Sequence, residues 1–296
     1  MKKSCIVTGG TKNQFPAMAV LALNIANICP TIADELIIYH DGICKSDQKK
    51  INKIFPTIFI KYKSPFHNQK NFSDVITSYF SPMVFCKYEC LRLLTEYHTV
   101  IWTDYDILIN KDFTAELKAL PKSSFILTKP IIDGMKDYPD STMYCNIDLL
   151  KPQFSAALML FRDNLPNPNE IYKNCINETK KLAKYLYLPE QVVLTIVFLK
   201  HNISFNEINN SNNRYTLHPN EANRLPKDKT LIYHAYGQPK FWNGLDNSEW
   251  NKLYNEWIFN YKGSKFEKEY FSFRKLFSRI KNKVEHILSK KNTYKK

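Results

Sequence analysis

Apolar and polar positions along the chain follow two periods, one typical of buried strands and one typical of amphipathic helices. Short apolar runs rich in β-branched and aromatic residues predict strands at SCIVTGG, ELIIYHDG, TIFIKYK, HTVIWT, FSAALMLF and TLIYHAYG. Apolar residues at three- and four-residue spacing predict helices at FPAMAVLALNIANIC, residues 46–54, SPMVFCKYECLRLLTEY (81–97) and LPEQVVLTIVFLK. Because strands that alternate with helices form βαβ units, we expect an α/β fold with a mainly parallel, Rossmann-like sheet flanked by helices.

Length and composition are those of a globular protein. At 296 residues with 44% hydrophobic content, the chain can bury the core of one large α/β domain or of two small ones. No apolar stretch approaches the roughly 18 to 20 residues of a membrane span, and the first apolar run is too short for a signal peptide. The seven cysteines form no C-x-x-C pair, which argues against a zinc site or a disulfide framework. We therefore expect a cytoplasmic protein.

Positive charge is concentrated near the C-terminus. Residues 262–296 hold twelve Lys or Arg and three Glu, a net charge of +9, whereas the whole chain carries +14. Since most of the charge lies in this segment, no nucleic-acid partner is expected. From residue 271 onward, apolar residues at three- and four-residue intervals predict a basic amphipathic helix that associates with the anionic inner face of the plasma membrane. The alternative is a helix that packs on the domain and frays at its Lys-rich end.

The strand near residue 100 ends in two carboxylates, which an apolar strand should exclude. Asp104 and Asp106 lie in the run VIWTDYDILI, and in an extended chain they would face the same side. At the carboxyl end of a parallel strand, such a pair can form an oxygen clamp for Mg²⁺ or Mn²⁺. The cation would offset the cost of burying their charges. A D-x-D pattern also arises by chance, and the alternative is a strand end with two solvated aspartates.

Three later stretches give the D-x-D pattern a context. They are FSAA (154–157), LPEQ (188–191) and YHAYGQPKFW (233–242). In this order and at these separations, the stretches resemble the family 8 glycosyltransferases, above all the bacterial galactosyltransferases of lipooligosaccharide synthesis. The resemblance implies a GT-A fold and a sugar transfer from a nucleotide sugar with retention of configuration.

The resemblance implies a metal site that joins the two aspartates of the D-x-D pattern to a histidine near the end of the domain. The ligands it implies are Asp104, Asp106 and His234. An imidazole ligand favours Mn²⁺ over Mg²⁺, and Mg²⁺ is kept as the alternative. In the family pattern H-x-x-G-x-x-K-P-W, Gly237 and Lys240 stand in register. The glycine would let the backbone approach the diphosphate, and the lysine would supply positive charge.

The resemblance also implies residues that contact the transferred sugar. Gln191 matches the residue beside the reacting anomeric carbon, and Glu190 takes the place of its acidic neighbour; the alternative is the first turn of a helix. Ser155 and Ala156 stand in the F-N-A-G segment of the family, with serine in place of asparagine. Lys87 replaces an arginine that reaches toward the donor, and the alternative is a solvated lysine on a helix.

The loop after the first strand matches the family least well. Family members hold uridine and ribose with an Asp, an Asn and a Tyr, whereas this chain offers Thr8, Asn13 and Phe15. Tyr105, between the two aspartates, is also expected to contact the donor. Because of this poor match, a nucleotide other than UDP stays an alternative.

Together these assignments predict a metal-dependent retaining hexosyltransferase. We expect a catalytic domain over residues 1–245 and a helical, basic, membrane-associating tail over residues 246–296. The enzyme would move galactose or glucose from a nucleotide sugar, UDP-linked by preference, to a lipid-linked or surface-polysaccharide acceptor. Two alternatives are open: a D-x-D glycosyltransferase of another family with a different donor nucleotide or an inverting outcome, and a non-catalytic basic membrane adaptor.

Overall fold

A computed structural model of the chain describes residues 3–66, 71–135, 147–208, 214–217 and 230–266. Residues 1–265 form one compact unit, which includes a helix beyond residue 245. The domain division predicted at residue 245 stays a prediction. The amphipathic helix predicted from residue 271 lies outside the described residues. No helix among the described residues is both long enough and apolar enough to span a membrane.

Ten strands of the described residues form two sheets. The strands are β1 (Lys3–Gly10), β2 (Glu35–His40), β3 (Thr57–Lys61), β4 (Tyr97–Thr103), β5 (Ile107–Ile109), β6 (Ser124–Pro130), β7 (Pro152–Arg162), β8 (Asn206–Glu207), β9 (Arg214–Leu217) and β10 (Thr230–His234). The larger sheet has the order β3-β2-β1-β4-β7-β6-β8, and the smaller has the order β5-β10-β9. Strands β3, β2, β1 and β4 are parallel, whereas β7 runs antiparallel to β4 and β6. The mainly parallel sheet is confirmed.

Helices cover the larger sheet and support the smaller one. They are α1 (Phe15–Ile28), α2 (Lys45–Ile51), α3 (Asp74–Tyr79), α4 (Glu89–Leu93), α5 (Thr114–Ala119), α6 (Pro168–Leu182), α7 (Pro189–Lys200) and α8 (Ser248–Phe259). Helix α1 is apolar and buried over most of its length, and it packs against β5 and α8. Helix α7 packs against β7 and α6. The helices predicted for these two segments are confirmed.

One predicted helix has a different form. Ser81 caps the segment, but the chain then forms a 3₁₀ helix over Pro82–Tyr88 before the short α4. The segment is helical, as predicted, but most of it is a 3₁₀ helix and the helical part ends at Leu93. A 3₁₀ helix has three residues per turn, which lines up side chains three apart. Phe85 and Tyr88 have this spacing and are fully buried in the core, so the tighter turn brings both rings to the core side.

Strand β4 leaves the larger sheet at the two aspartates. It ends at Thr103, and the chain turns through residues 104–106 before β5 begins in the smaller sheet. The extended conformation predicted through Asp106 is wrong, because this turn redirects the chain. The N–H of Asp104 still donates to the carbonyl of Ala157 on β7, at 3.2 Å. The aspartates thus lie where the chain passes from one sheet to the other.

A buried asparagine on α1 fixes the strand that follows this turn. The side-chain amide of Asn24 donates to the carbonyl of Ile109 at 3.0 Å, and its Oδ1 accepts the N–H of the same residue at 2.6 Å. Asn24 is 3% exposed, so water does not replace these bonds. The paired bonds attach β5 to α1.

We predict that Asn24→Leu lowers the free energy of unfolding by about 2–5 kcal/mol. The substitution keeps the side-chain size but leaves a buried N–H and a buried carbonyl of Ile109 unpaired, at roughly 1–3 kcal/mol each. Urea denaturation measures the change. The matched control is Asn27→Leu on the exposed side of the same helix, which should change stability by about 0.5 kcal/mol or less. Equal stability of the two variants would contradict the role of Asn24.

Candidate active site

Three predicted metal ligands lie together where the two sheets meet. Asp104 follows β4, Asp106 precedes β5, and His234 ends β10. Strand β10 pairs antiparallel with β5, which places His234 opposite Ile107. Each of the three residues offers a ligand atom within 4.8 Å of those of the other two. The register of β10 on β5 therefore brings a residue from late in the chain to the aspartates.

A buried lysine pairs with the first aspartate. Lys87 Nζ lies 3.1 Å from Asp104 Oδ1 and 2.6 Å from Glu190 Oε1, and Lys87 is only 7% exposed. The alternative of a solvated lysine is therefore wrong. Burial opposes its charged form, but the two carboxylates outweigh burial and raise the pKa of Lys87 above its usual value. Lys87 thus stays charged and balances the two acids.

A second lysine pairs with the other aspartate. Lys240 Nζ donates to Asp106 Oδ2 and, at 2.7 Å, to the carbonyl of Ala235. Burial by itself would raise the pKa of Asp106, but Lys240 and His234 hold that pKa well below its usual range. Asp106 is therefore ionised at neutral pH, which is the state that a metal ligand requires.

Each aspartate keeps one oxygen turned toward the histidine. Asp104 Oδ2 lies 3.8 Å and Asp106 Oδ1 lies 3.3 Å from His234 Nε2. The other oxygen of each carboxylate is bound by a lysine. Two carboxylate oxygens and one imidazole nitrogen are the donor types that bind divalent cations in proteins. The residues present fit a divalent cation.

Strand β7 connects the aspartates with the predicted glutamine. The N–H of Ala156 donates to Gln191 Oε1 at 3.2 Å, while the next residue, Ala157, accepts the N–H of Asp104. Ser155 Oγ accepts the N–H of Ala157 at 3.3 Å. Gln191 and Glu190 lie in the first turn of α7, so the helix-start interpretation holds as well. The FSAA stretch thus contacts both parts of the site.

The last residue of β1, Gly10, lies close to the D-x-D turn. A Cβ atom on Gly10 would stand 3.0 Å from Cε1 of Tyr105 and 2.5 Å from Met18, so a larger residue does not fit unless its neighbours move. Among the three residues predicted to hold the nucleotide, only Asn13 is exposed. Thr8 and Phe15 are buried, Phe15 within α1. The roles of these three residues stay predictions.

The segment after β10 contacts the D-x-D turn a second time. The Trp242 ring lies 6.0 Å from the Tyr105 ring, centroid to centroid. Between this contact and His234, Gly237 adopts a φ of 70°, a left-handed conformation that favours glycine. No atom lies within 4 Å of the position where its Cβ would be, so its backbone is open to an approaching group.

Sequence reasoning missed one residue of the site. Trp102 was assigned only to a core strand, yet its indole N–H donates to Asp104 Oδ1 at 3.1 Å. The sequence did carry a signal for this contact: Trp102 and Asp104 are two positions apart, and residues with this spacing on a strand lie on the same side.

A comparison with protein families identifies the chain. The sequence profile of glycosyl transferase family 8 matches residues 5–246, a range that contains both aspartates, His234 and Lys240. The chain belongs to this family. It is therefore a glycosyltransferase, which uses a nucleotide-sugar donor and a glycan acceptor. Family 8 glycosyltransferases depend on a divalent metal, and the Asp104, Asp106 and His234 cluster offers the site for it. No curated protein sequence matches the chain.

Solved glycosyltransferase structures share the fold of this family 8 chain. The galactosyltransferase LgtC, in complex with donor and acceptor sugar analogs, matches with a TM-score of 0.62 and 13% identity over 90% of this chain and 98% of LgtC. The bifunctional glycosyltransferase WbbM matches with a TM-score of 0.63 and 12% sequence identity, over 88% of this chain and 51% of WbbM. The glycosyltransferase GlyE of Streptococcus pneumoniae TIGR4 matches with a TM-score of 0.54 and 16% sequence identity, over 91% of this chain and 66% of GlyE. The predicted GT-A fold is confirmed.

We predict that Lys87→Met lowers the free energy of unfolding by about 3–5 kcal/mol, because it leaves two carboxylates without their buried partner. Adding Glu190→Gln to this variant removes one of the two charges and should restore part of the loss. Thermal and urea unfolding measure both changes.

The matched control for this prediction is Lys200→Met. Lys200 pairs with Glu178 at the same distance, 2.6 Å, but its side chain is 34% exposed. Water reaches the Lys200 ammonium although Glu178 is buried, so the loss in this variant should be smaller than the loss at Lys87. If Lys87→Met lowered the free energy of unfolding no more than Lys200→Met does, burial would not strengthen the ion pairs of Lys87, and the prediction would be contradicted.

Proposed function

We propose that this family 8 glycosyltransferase transfers a hexose, with retention, from a nucleotide sugar to a lipid-linked or surface-polysaccharide acceptor. Galactose or glucose linked to UDP is the proposed donor, and the reaction would belong to lipopolysaccharide or capsule biosynthesis. The observation that carries the proposal is the set of donor atoms on Asp104, Asp106 and His234, which β7 connects to Gln191. The fold shared with the galactosyltransferase LgtC supports the choice of a hexose.

Asp104, Asp106 and His234 would hold the cation, and the imidazole donor favours Mn²⁺ over Mg²⁺. A cation bound there supplies positive charge to the diphosphate of the donor as this group leaves. Lys87 and Lys240 place positive charge beside the two carboxylates in advance, since each ammonium already bonds one oxygen of an aspartate. The charges therefore need little rearrangement during the reaction, which is the condition for electrostatic stabilisation.

Gln191 acts in this proposal as a hydrogen-bond donor to the sugar. Its Oε1 already accepts the N–H of Ala156, so its NH₂ group is the part left to meet a substrate oxygen. Glu190 is a poor nucleophile, because it is 4% exposed and one of its oxygens is bound to Lys87 at 2.6 Å. With no nucleophile from these two residues, the acceptor hydroxyl would attack on the face from which the diphosphate departs. Its proton would pass to the departing phosphate oxygen.

The first test is a panel of UDP-galactose, UDP-glucose, UDP-N-acetylglucosamine and GDP-mannose, each incubated with the protein and Mn²⁺. We predict release of UDP from one of the two UDP-hexoses, faster with Mn²⁺ than with Mg²⁺, measured by chromatography. Release from GDP-mannose alone would contradict the UDP assignment. Neither binding nor turnover of any donor would contradict the whole proposal.

The second test removes a proposed metal ligand. Asp104→Asn should lower turnover about a hundredfold or more, because a metal ion supplies several kcal/mol of charge stabilisation and each 1.36 kcal/mol is tenfold in rate. The matched control is Asp112→Asn. Asp112 is exposed and lies outside the proposed metal site, and its Oδ1 accepts the N–H of Thr114, so this variant should keep parental turnover. Parental turnover in Asp104→Asn would favour the non-catalytic adaptor.

We also propose that the basic segment of residues 266–296 binds the anionic inner face of the plasma membrane and brings the enzyme to its acceptor. This segment carries ten Lys or Arg against three Glu. Each basic residue near an anionic surface contributes about 1 kcal/mol, and an apolar helix face adds to it.

A chain that ends at Lys265 tests this membrane proposal. The truncation keeps Gly263 and Ser264, whose backbones bond to Trp257 at 3.0 and 2.9 Å, so α8 keeps its contacts. We predict that the full chain sediments with anionic phosphatidylglycerol vesicles and not with phosphatidylcholine vesicles, and that the shortened chain sediments with neither while keeping donor turnover. Unchanged sedimentation of the shortened chain would contradict the proposal.

A further inference from the structure

Trp102 has a fixed position in the centre of the larger sheet. It lies on β4, opposite Val7 of the parallel β1 and Met159 of the antiparallel β7. Its side chain is 1% exposed and belongs to the main apolar core. Since strands hold β4 on both sides, the indole ring has little freedom to move, and any polar group that it contacts is held in place with it.

The indole contacts the metal site in two ways. Its N–H donates to Asp104 Oδ1 at 3.1 Å, and Lys87 Nζ lies 5.5 Å from the centre of its ring. An ammonium group at this distance is attracted by the face of an aromatic ring. Lys87 itself lies 3.1 Å from the same Oδ1 atom. One oxygen of Asp104 is therefore bound by two donors, the Trp102 N–H and the Lys87 ammonium that lies over the same indole ring.

We propose that Trp102 is a positioning residue for the metal site, which binds Asp104 Oδ1 so that Oδ2 alone faces His234 and the cation. The inference rests on the proposed metal-dependent function. A free carboxylate turns easily about its last torsion, which is broad and two-fold. Two donors on one oxygen remove that freedom. The partners of metal ligands commonly change metal affinity by about 10–100-fold when they are lost.

Lys87 alone would hold Asp104 less well. Its ammonium is shared with Glu190 Oε1 at 2.6 Å, a shorter distance than that to Asp104, and it ends a flexible chain of methylene groups. The indole N–H is a single donor in a rigid ring, so its direction is set by the strand. The strand that carries Asp104 thereby also carries the group that orients it.

The test compares Mn²⁺ affinities of the full chain without nucleotide, by calorimetry and by electron paramagnetic resonance of free Mn²⁺. Trp102→Phe keeps an aromatic ring beside Lys87 and removes the N–H. It should bind Mn²⁺ about 10–100-fold more weakly than the parent, with an unchanged circular dichroism spectrum. The matched control is Trp257→Phe. Trp257 is also fully buried, and its indole donates to the carbonyl of Ser264 at 2.9 Å, so Mn²⁺ affinity should equal that of the parent.

If Trp102→Phe does not fold, benzothienylalanine at position 102 serves instead, because it has the indole shape with sulfur in place of the N–H. Parental Mn²⁺ affinity in a folded variant without this N–H would overturn the inference and leave the proposed function intact. Equal weakening in Trp257→Phe would also overturn it, as a general effect of losing a buried indole bond. A parent that does not bind Mn²⁺ would overturn the metal site and this inference together.

Discussion

Two lysines place positive charge beside two aspartates at the edge of the protein core, and the site depends on this balance. An unpaired buried carboxylate would take up a proton or cost several kcal/mol. Lys87 and Lys240 each bind one oxygen of an aspartate and leave the other oxygen facing His234. The lysines thus provide counter-charge without occupying the oxygens that a cation needs.

The balance of charge is held in place by elements from distant parts of the chain. Asn24 attaches β5 to α1, the β5–β10 register places His234, and Ala156 and Ala157 on β7 contact Gln191 and Asp104. Most of these contacts use backbone groups or buried side chains, so the site is built into the junction of the two sheets.

The sequence predicted the elements of the fold well, because strand and helix periodicity reports local burial. It also located Asp104, Asp106 and His234, through the pattern shared with family 8. It could not show that Lys87 is buried, because that depends on Glu190 and Asp104 meeting across three segments. Nor could it show that Lys240 binds Asp106, since these residues are 134 positions apart and meet only through the β5–β10 register.

Local geometry set the other limits of prediction. The apolar stripe of residues 81–97 fits an α-helix and a 3₁₀ helix almost equally, and packing of the buried aromatic residues decides between them. The strand predicted over HTVIWT does end at Thr103, but the turn through Asp106 and the separate strand β5 were not predicted, because the apolar residues ILI continue the strand-like pattern. The sequence around the end of β1 matches the family pattern poorly, so it could not assign nucleotide contacts to Thr8, Asn13 and Phe15.

The pairing of β5 with β10 has a consequence for folding. A cation on Asp104, Asp106 and His234 would join the end of the larger sheet to the smaller one, closing a long loop of chain as a covalent crosslink does. Any ligand that binds only the folded state stabilises it, by about 2.7 kcal/mol at a hundred times its dissociation constant. The lifetime of this enzyme in the cell would then follow the supply of the divalent metal that it binds, so that starvation for the metal would remove the protein as well as its activity.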